Sequence, residues 1–589
     1  MIEKSRYLIT TSDPETWKKD EPVLLLGEWC INHNKISLKD VDYRLVKPYG
    51  IGHKNRDKDI TKAREIEKKI IPILSDILNN THNLNFSERY WKILFYPWLR
   101  RYVEVMINRI NNIMLCFENY KISGSTFFND DYNLAPKDSY EAILKYDDHV
   151  WNNILYKKII EKLNIHNFEK NIINNKHQAS NKKNFNFKKF LLFLLIDICN
   201  FFTKIFNKNS GVYFDPYLSF KNKINLYFNL RQLPFLWNSS RELNFKYKYN
   251  NKLRESLGSK FIQVKHTDKI EQIIFEMVFD LIPMSLLESY QYINNISNKL
   301  SLPNNPKFIA TSNAFDYDEI FKFWASLKIE KQNVKYIILQ HGNNYGTHRY
   351  INPSVEEINA DKFITWGWTV PNNNKYIRGF INKTSNLNFK KKFKPTKYVL
   401  ITEDLHHRYW TYDSHFEYWQ KYESTKKFIE NFPDTLKNNL LLRMHISDKK
   451  FNNNMYHRLI KSFPNLKIEF STNNYWSTIS NSKIVIFNYD SSGILELLSL
   501  NVPFIAFLYN KTEHLRDSAK PYYNLLEKEG IIHYNVDSAI FKINEIYENI
   551  DKWWKSDNVQ EARNIFCKKF ARTSKNPGYD ISKIINTIP

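Results

Sequence analysis

Residues 482–508 read SKIVIFNYDSSGILELLSLNVPFIAFL and bring two hydroxyls, Ser491 and Ser492, between two apolar runs. Residues 483–489 are β-rich and almost continuously apolar, as a buried parallel strand requires. A short polar turn follows, then apolar residues at helical spacing over 494–500, a break at Asn501-Val502-Pro503, and a second apolar strand over 504–508. That is a βαβ unit. Its strand-to-helix turn aims backbone N–H groups and both hydroxyls at one spot, a geometry that holds a phosphate. The plainer alternative is that a serine only caps the helix.

Other residues able to do chemistry stand at the ends of apolar runs. Glu28 follows the Leu24-Leu25-Leu26 run and Gly27, at the carboxyl end of a strand. A carboxylate there suits a general base that deprotonates a hydroxyl, although a surface glutamate in an ion pair is the commoner case. His341 and Gly342 lie in QHGNNYG, directly after the strand at 336–340. The imidazole could hold a phosphate, polarise a leaving group or take a proton, and Gly342 would let backbone approach a ligand. Arg443 and His445, two residues apart at the end of a strand over 439–443, face one side and could grip a phosphate. Alternatively, Arg443 pairs with a carboxylate such as Asp448. His406 and His407 are adjacent, which suits shared coordination of one ion poorly, and no DxD stands beside a strand. No metal and no cofactor are expected.

The elements that must position these groups follow an α/β rhythm. Strands are predicted at 6–11, 23–26, 308–311, 336–340, 361–368, 398–402 and 467–470, with long amphipathic helices over 61–80 and 87–116. Residues 168–189 are rich in Asn and Lys and read as a linker or insertion. The helix near Trp553 is expected to pack back across the domains. The fold class is α/β, with two Rossmann-like domains facing a cleft: residues 1–382 with a helical insertion at about 61–300, a basic linker at 383–395, and residues 396–589. This is the layout of GT-B glycosyltransferases, an analogy at the level of fold.

Composition sets outer bounds. The chain has 589 residues, enough for several domains, and a net charge of +24 that attracts anionic partners. No nucleic-acid motif accompanies that charge, so no nucleic-acid partner is expected. The four cysteines are far apart in sequence and suit a reducing compartment. The N-terminus lacks the apolar core of a signal peptide, so a cytoplasmic location is expected. Residues 190–202, FLLFLLIDICNFF, are too short to span a bilayer, and Lys182, Lys183, Lys188, Lys189, Lys204 and Lys208 flank them. Such a helix either lies on an anionic membrane, here the inner face of the cytoplasmic membrane, or is buried with solvated lysines at its ends.

The segments ITTSDPETW with EPVLLLGEWC, then SERYWKILFYPWL, QHGNNYG, DKFITWGW and SSGILELLSLNVP occur in order along almost the whole chain. Together they resemble a bacterial family of surface-carbohydrate (O-antigen) biosynthesis transferases. The sequence departs from that pattern at 49–56, YGIGHKNR, where a Tyr-x-Trp-Asp-Arg-like stretch is expected. A looser likeness joins His445 and the paired serines to the His and Ser-Ser pattern of sialyl- and polysialyltransferases, which use CMP-activated sugars, although Ile446 replaces the usual proline. CDP-glycerol transferases are similar at His341 and Gly342. The resemblances imply a glycosyltransferase that binds a nucleotide-sugar donor, CMP-linked in the sialyltransferase manner, and a glycan or lipid-linked glycan acceptor; without a DxD beside a strand the transfer is expected to be metal-independent, and with one base sufficing for direct displacement it is expected to be inverting. In that scheme Glu28 and His341 are catalytic, and Gly342, Arg443, His445, Ser491, Ser492 and Glu496 hold the donor, Glu496 through a ribose. The alternatives are transfer of a polyol phosphate from a CDP-linked donor, or a non-catalytic scaffold at the membrane surface.

Overall fold

In the computed structural model the chain builds three parallel β-sheets covered by helices. The residues described are 4–588 except 19, 32–35, 37, 40, 131–132, 175–190, 192–193, 195–197, 199–200, 203–210, 233–247, 262–264, 301, 352, 391, 393–394, 403–417, 447–453 and 472–473. His406, His407, Asp448 and the lysines around 190–202 therefore lie outside the described residues.

Sheet one contains β1 (Arg6–Ile9), β2 (Val23–Leu25), β3 (Tyr43–Leu45), β4 (Ile122–Phe128) and β5 (Glu169–Ile173), in the order β3-β2-β1-β4-β5. Sheet two contains β6 (Val212–Phe214), β7 (Phe308–Thr311), β8 (Lys335–Leu339), β9 (Lys362–Thr365) and β10 (Tyr376–Arg378), in the order β10-β9-β8-β7-β6. Sheet three contains β11 (Lys397–Ile401), β12 (Leu440–Met444), β13 (Lys467–Phe470), β14 (Ser482–Phe487), β15 (Phe504–Phe507) and β16 (Ile532–His533), in the order β13-β12-β11-β14-β15-β16. Sheets one and three are doubly wound: the chain starts mid-sheet, builds to one edge, then returns to build the other. Such sheets hold ligands beyond the carboxyl ends of their strands.

Five helices matter for the site: α1 (His53–His82), α2 (Glu88–Asn119), α3 (Val355–Asn359), α4 (Asn454–Ser462) and α5 (Ser492–Leu500). The βαβ unit β14-α5-β15 forms where the apolar pattern places it. Ile484, Val485 and Ile486 are fully buried, so both faces of β14 are covered. Ser491 caps α5 by accepting the Gly493 N–H, and Asn501 ends the helix in the left-handed region at φ 56°. Gly493 must lack a side chain, because a Cβ there would come within 2.8 Å of the Phe487 ring. Helices α1 and α2 pack along their length around a buried carboxylate. Glu67 accepts hydrogen bonds from Arg64, from Tyr96 Oη at 2.8 Å and from Arg100 Nη2 at 3.2 Å.

Two expectations need correction. The stretch at about 61–300 is not only a helical insertion, since it carries β4, β5 and β6, and β5 lies inside the Asn- and Lys-rich segment. Short strands such as Glu169–Ile173, with little apolar content, pair because a neighbouring strand supplies the ladder, which sequence periodicity does not report. Sheets two and three meet at their carboxyl edges as two parallel α/β lobes, and sheet one is a further parallel lobe. The facing lobes are also fused: Ile338 and Trp366 of lobe two share one buried cluster with Val485, Leu497 and Leu498 of lobe three. The chain crosses back at its end, where Arg572 N–H donates to the Trp366 carbonyl at 3.0 Å and Ile581 and Ile585 pack with Leu226 and Tyr227 of lobe two.

Leu191, Leu194, Ile198, Phe201 and Phe202 are exposed. Among the described residues, no helix is long and apolar enough to cross a membrane.

Because α5 is held by apolar packing on its buried face, Leu498→Ala should cost about 2–5 kcal/mol, read as a lower denaturant midpoint with an unchanged m-value.

Candidate active site

The loop after β8 and the turn after β14 meet at the carboxyl edges of sheets two and three. Asp490 is the centre of the contact. Its Oδ1 accepts from Asn343 Nδ2 at 2.9 Å. Its Oδ2 accepts from His348 Nε2 at 2.9 Å, His514 Nε2 at 3.0 Å and Tyr523 Oη at 2.7 Å. An ionised carboxylate only accepts, so both imidazoles carry their proton on Nε2. Burial alone would raise the Asp490 carboxyl, but the hydrogen bonds and charge of His348 and His514 outweigh it and hold it far below the ordinary carboxylate range. Backbone bonds extend the seam: Arg349 N–H donates to the His514 carbonyl at 3.0 Å, and Arg516 N–H to the Thr347 carbonyl at 2.7 Å. The same three side chains, His348, Asp490 and His514, are grouped closely enough to ligate a metal ion. Their mutual hydrogen bonds already account for the arrangement.

This seam fixes Ser492 against the loop after β8. Ser492 Oγ accepts the Asn343 N–H at 2.8 Å, which leaves its own proton to donate. A cavity of about 260 Å³ opens beside it, lined by His341, Gly342, Asn343 and Ser492 on one side and by Arg64, Arg100, Arg101 and Glu104 of α1 and α2 on another. A Cβ on Gly342 would stand 3.4 Å from Ser492 Oγ, which places the two residues side by side on the cavity floor.

The charges around this space are mostly paired. Arg101 grips Asp316 through Nη1 at 2.6 Å and Nη2 at 2.9 Å. Arg64 reaches Glu104 at 2.6 Å, and Arg100 Nη1 donates to the Pro353 carbonyl at 2.8 Å. His341 keeps part of its ring at the cavity surface, yet surrounding protein withholds solvent. Burial, reinforced by the nearby Lys383 charge, lowers its pKa to about 4, so the ring is neutral at pH 7. Both ring nitrogens stand close to Tyr345 Oη, at 3.1 and 3.2 Å, and Tyr345 donates to Glu356. Burial pushes the Glu356 carboxyl up to about 7. A neutral imidazole, a phenol and a half-protonated carboxyl thus form a hydrogen-bonded row from the cavity into the protein, able to accept or release a proton near neutral pH.

The structure brings together His341, Gly342 and Ser492 among the residues singled out from sequence. Ser491 stands next to them but spends its side chain on capping α5. Glu496 lies one turn further along α5, nearly buried, with Lys383 Nζ 3.7 Å away. Arg443 is drawn into a buried ion pair with Glu469, its register partner on β13, and also donates to Thr478 Oγ1 at 3.1 Å. That corrects its reading as a free phosphate grip, and the carboxylate is Glu469. His445 is exposed at the end of β12 and does not line this cavity. Glu28 does not line it either. Its carboxylate accepts from Arg458 Nη2 of α4 at 2.7 Å, across the contact between lobes one and three. The expectation of Glu28 and the serines facing one gap is corrected accordingly. Sequence reading missed Asp490, His348, His514, Tyr345 and Glu356. Two of them carried a local signal: Asp490 immediately precedes the serine pair in a strand-to-helix turn, and Tyr345 stands in the QHGNNYG loop after β8.

The fold and this edge-to-edge site define an α/β protein with a preformed polar cavity between parallel sheets. The chain belongs to the LIC12162 family of transferases, whose model matches residues 6–585. No curated protein matches it by sequence. Among solved structures it is similar to Anabaena HepE in complex with UDP and glucose, at 10% identity and a TM-score of 0.32 over 51% of this chain and 81% of that one. It is also similar to the UDP-GlcNAc 2-epimerase of Neisseria meningitidis bound to UDP-GlcNAc, at 13% identity and a TM-score of 0.31 over 62% of this chain and 88% of that one.

Asp490 binds a proton less readily in the folded chain than in the unfolded one, so low pH favours unfolding through this group. Asp490→Asn should therefore lower the melting temperature most at neutral pH, and its deficit against the native chain should narrow as pH falls below about 4. Thermal unfolding across that range checks it.

Proposed function

We propose that this transferase is a glycosyltransferase that moves a sugar from a nucleotide-linked donor, in the first instance a CMP-linked nonulosonic-type sugar, onto a surface-glycan or lipid-linked glycan acceptor. The observation that carries the reading is the shared cavity of His341, Gly342 and Ser492 at the facing carboxyl edges of two parallel sheets. There the N-terminus of α5, with the Ser492 hydroxyl free to donate, suits the donor phosphate. Gly342, without a side chain, lets that phosphate approach the loop backbone.

In this scheme the acceptor hydroxyl attacks the anomeric carbon as the bond to the nucleotide phosphate breaks. The anomeric configuration inverts, and no metal takes part. Neutral His341 takes the acceptor proton. Its imidazolium is disfavoured in the empty cavity, but the departing phosphate supplies the compensating negative charge as the proton moves. Tyr345 and Glu356 orient the ring and steady its second nitrogen. His445, exposed on the carboxyl edge of sheet three, lies outside this cavity and has no assigned part in the scheme. Glu28 has no part in the scheme, because its carboxylate is engaged by Arg458 outside this cavity.

The test is a panel of CMP-, CDP-, UDP- and GDP-linked sugars with an acceptor extract, read as protein-dependent release of free nucleotide. One donor class should be consumed. His341→Ala should lower kcat on it by about 10²-fold or more while donor binding, read by thermal shift, persists. Unchanged turnover in that variant would remove His341 from the chemistry. CDP-glycerol as the consumed donor would replace the sugar by a polyol phosphate.

A further inference from the structure

One edge of sheet two leaves large apolar side chains in water. In the helix Phe220–Asn229, which follows the edge strand β6, Phe220 is 76% exposed and Phe228 72%. Lys221, also exposed, falls on the side of Phe228 at helical spacing. The other side of this helix packs on the C-terminal helix Pro577–Asn586. Leu226 and Tyr227 bury there with Ile581 and Ile585, and a Cβ on Gly578 would stand 2.5 Å from the Asn222 carbonyl oxygen. A close-packed neighbour therefore holds the two phenyl rings outward. The C-terminal helix adds Tyr579, half exposed, and exposed Lys583 one turn later. Together the two helices carry one carboxylate, Asp580, and it accepts from Ser574 Oγ at 2.5 Å.

A second apolar set stands upstream of β6. Leu191, Leu194, Ile198 and Phe201 are helical, recur at helical spacing, and are exposed together with Phe202. This part of the chain is strongly basic: from Lys176 to Arg231 the sequence has ten Lys and Arg against two acids, Asp197 and Asp215. Asp215 accepts from Tyr317 Oη at 2.7 Å. Clustered exposed apolar groups mark contact surfaces. Protruding aromatic rings among lysines suit a bilayer, because the rings enter the headgroup level while the ammonium groups attract anionic lipid.

The loop between β6 and the helix Phe220–Asn229 reaches the transfer cavity. Asp215 and Tyr217 hold the left-handed region at φ 52° and 49°, on either side of Pro216, and Asn382 Nδ2 donates to the Pro216 carbonyl at 3.2 Å. That bend lays the Tyr217 ring over His341, with centroids 6.4 Å apart and planes inclined by 22°. Phe220 follows Tyr217 by three residues, so their Cα atoms lie at most about 11 Å apart.

We propose that the exposed side of the helix Phe220–Asn229 and the apolar stripe from Leu191 to Phe202 seat this protein on an anionic lipid bilayer, one short loop away from His341. A lipid-linked acceptor would then reach the cavity from that bilayer. This choice of acceptor rests on the transferase reading, whereas bilayer binding itself is measured without turnover.

The probe is flotation of the full chain with vesicles of equal parts phosphatidylglycerol and phosphatidylcholine, beside vesicles of phosphatidylcholine alone. The anionic vesicles should carry the protein, and raising the salt should weaken the binding. Phe220→Glu with Phe228→Glu should lower the partition by about tenfold or more, and Phe201→Glu with Phe202→Glu should do the same. All four side chains are exposed, so a native circular dichroism spectrum is expected in both double variants. Absence of binding, equal binding to the two vesicle types, or an unchanged partition in either natively folded double variant would overturn the proposal. A chain that stays off vesicles but forms a dimer dissociated by the same changes would assign these faces to a second copy and overturn it as well. Vesicle binding without nucleotide release from any donor would sink the transfer scheme alone, and nucleotide release by a chain that never floats would sink this proposal alone.

Discussion

One buried carboxylate organises the functional edge of this protein. Asp490 gathers four donors from two lobes: Asn343 and His348 from the loop after β8, and His514 and Tyr523 from the third lobe. Taking an ion out of water is expensive unless its lone pairs are filled, and here every contact also fixes a piece of chain. The loop after β8 cannot wander from the β14–α5 turn without stranding that charge. Ser492, Gly342 and His341 consequently hold their relative positions before any ligand arrives. Preorganisation of this kind is how a site avoids spending ligand binding on its own assembly.

The shared apolar core beneath the seam has a second consequence. In an open two-lobed enzyme the facing lobes close by a hinge, and their contact is small and polar. Here residues of sheets two and three, with α5 between them, bury one continuous cluster. The transfer cavity is therefore bounded on its other side by α1 and α2 of the first lobe, whose arginines are locked by Glu67, Glu104 and Asp316. Pairing of these charges leaves the cavity polar without making it a simple cation trap. It also explains why the row of His341, Tyr345 and Glu356, driven by burial rather than by a neighbouring opposite charge, is where protonation stays adjustable.

Lobe one contributes through its edges. Glu28 and Arg458 join it to lobe three, Arg349 bridges to Asp57, and Tyr350, at the wall of the cavity, stacks against the Arg56 guanidinium of α1. Three sheets thus meet around a small volume, and each supplies loops from its carboxyl edge or from the helix that follows. Function concentrates at such edges because strand ends leave backbone groups unpaired, while the sheet behind them stays rigid.

The amino-acid sequence determined the α/β class, the βαβ unit around Ser491 and Ser492, most strands of lobes two and three, and the placing of His341 and Gly342 at a strand end. These are local properties: apolar period, strand length, a capping serine and a breaking Asn-Val-Pro are all visible within a few residues. Tertiary structure alone decided that sheet one stands as a lobe of its own, completed by short strands such as Tyr43–Leu45 and Glu169–Ile173 whose pairing depends on neighbours far along the chain. It alone decided which charges would be spent on each other: Arg443 on Glu469, Glu28 on Arg458, and Asp490 on two histidines 142 and 24 residues away. A side chain's chemistry is set by the groups within a few ångströms of it. Sequence spacing fixes those only inside one element, so the site became legible only once the sheets had brought their edges together.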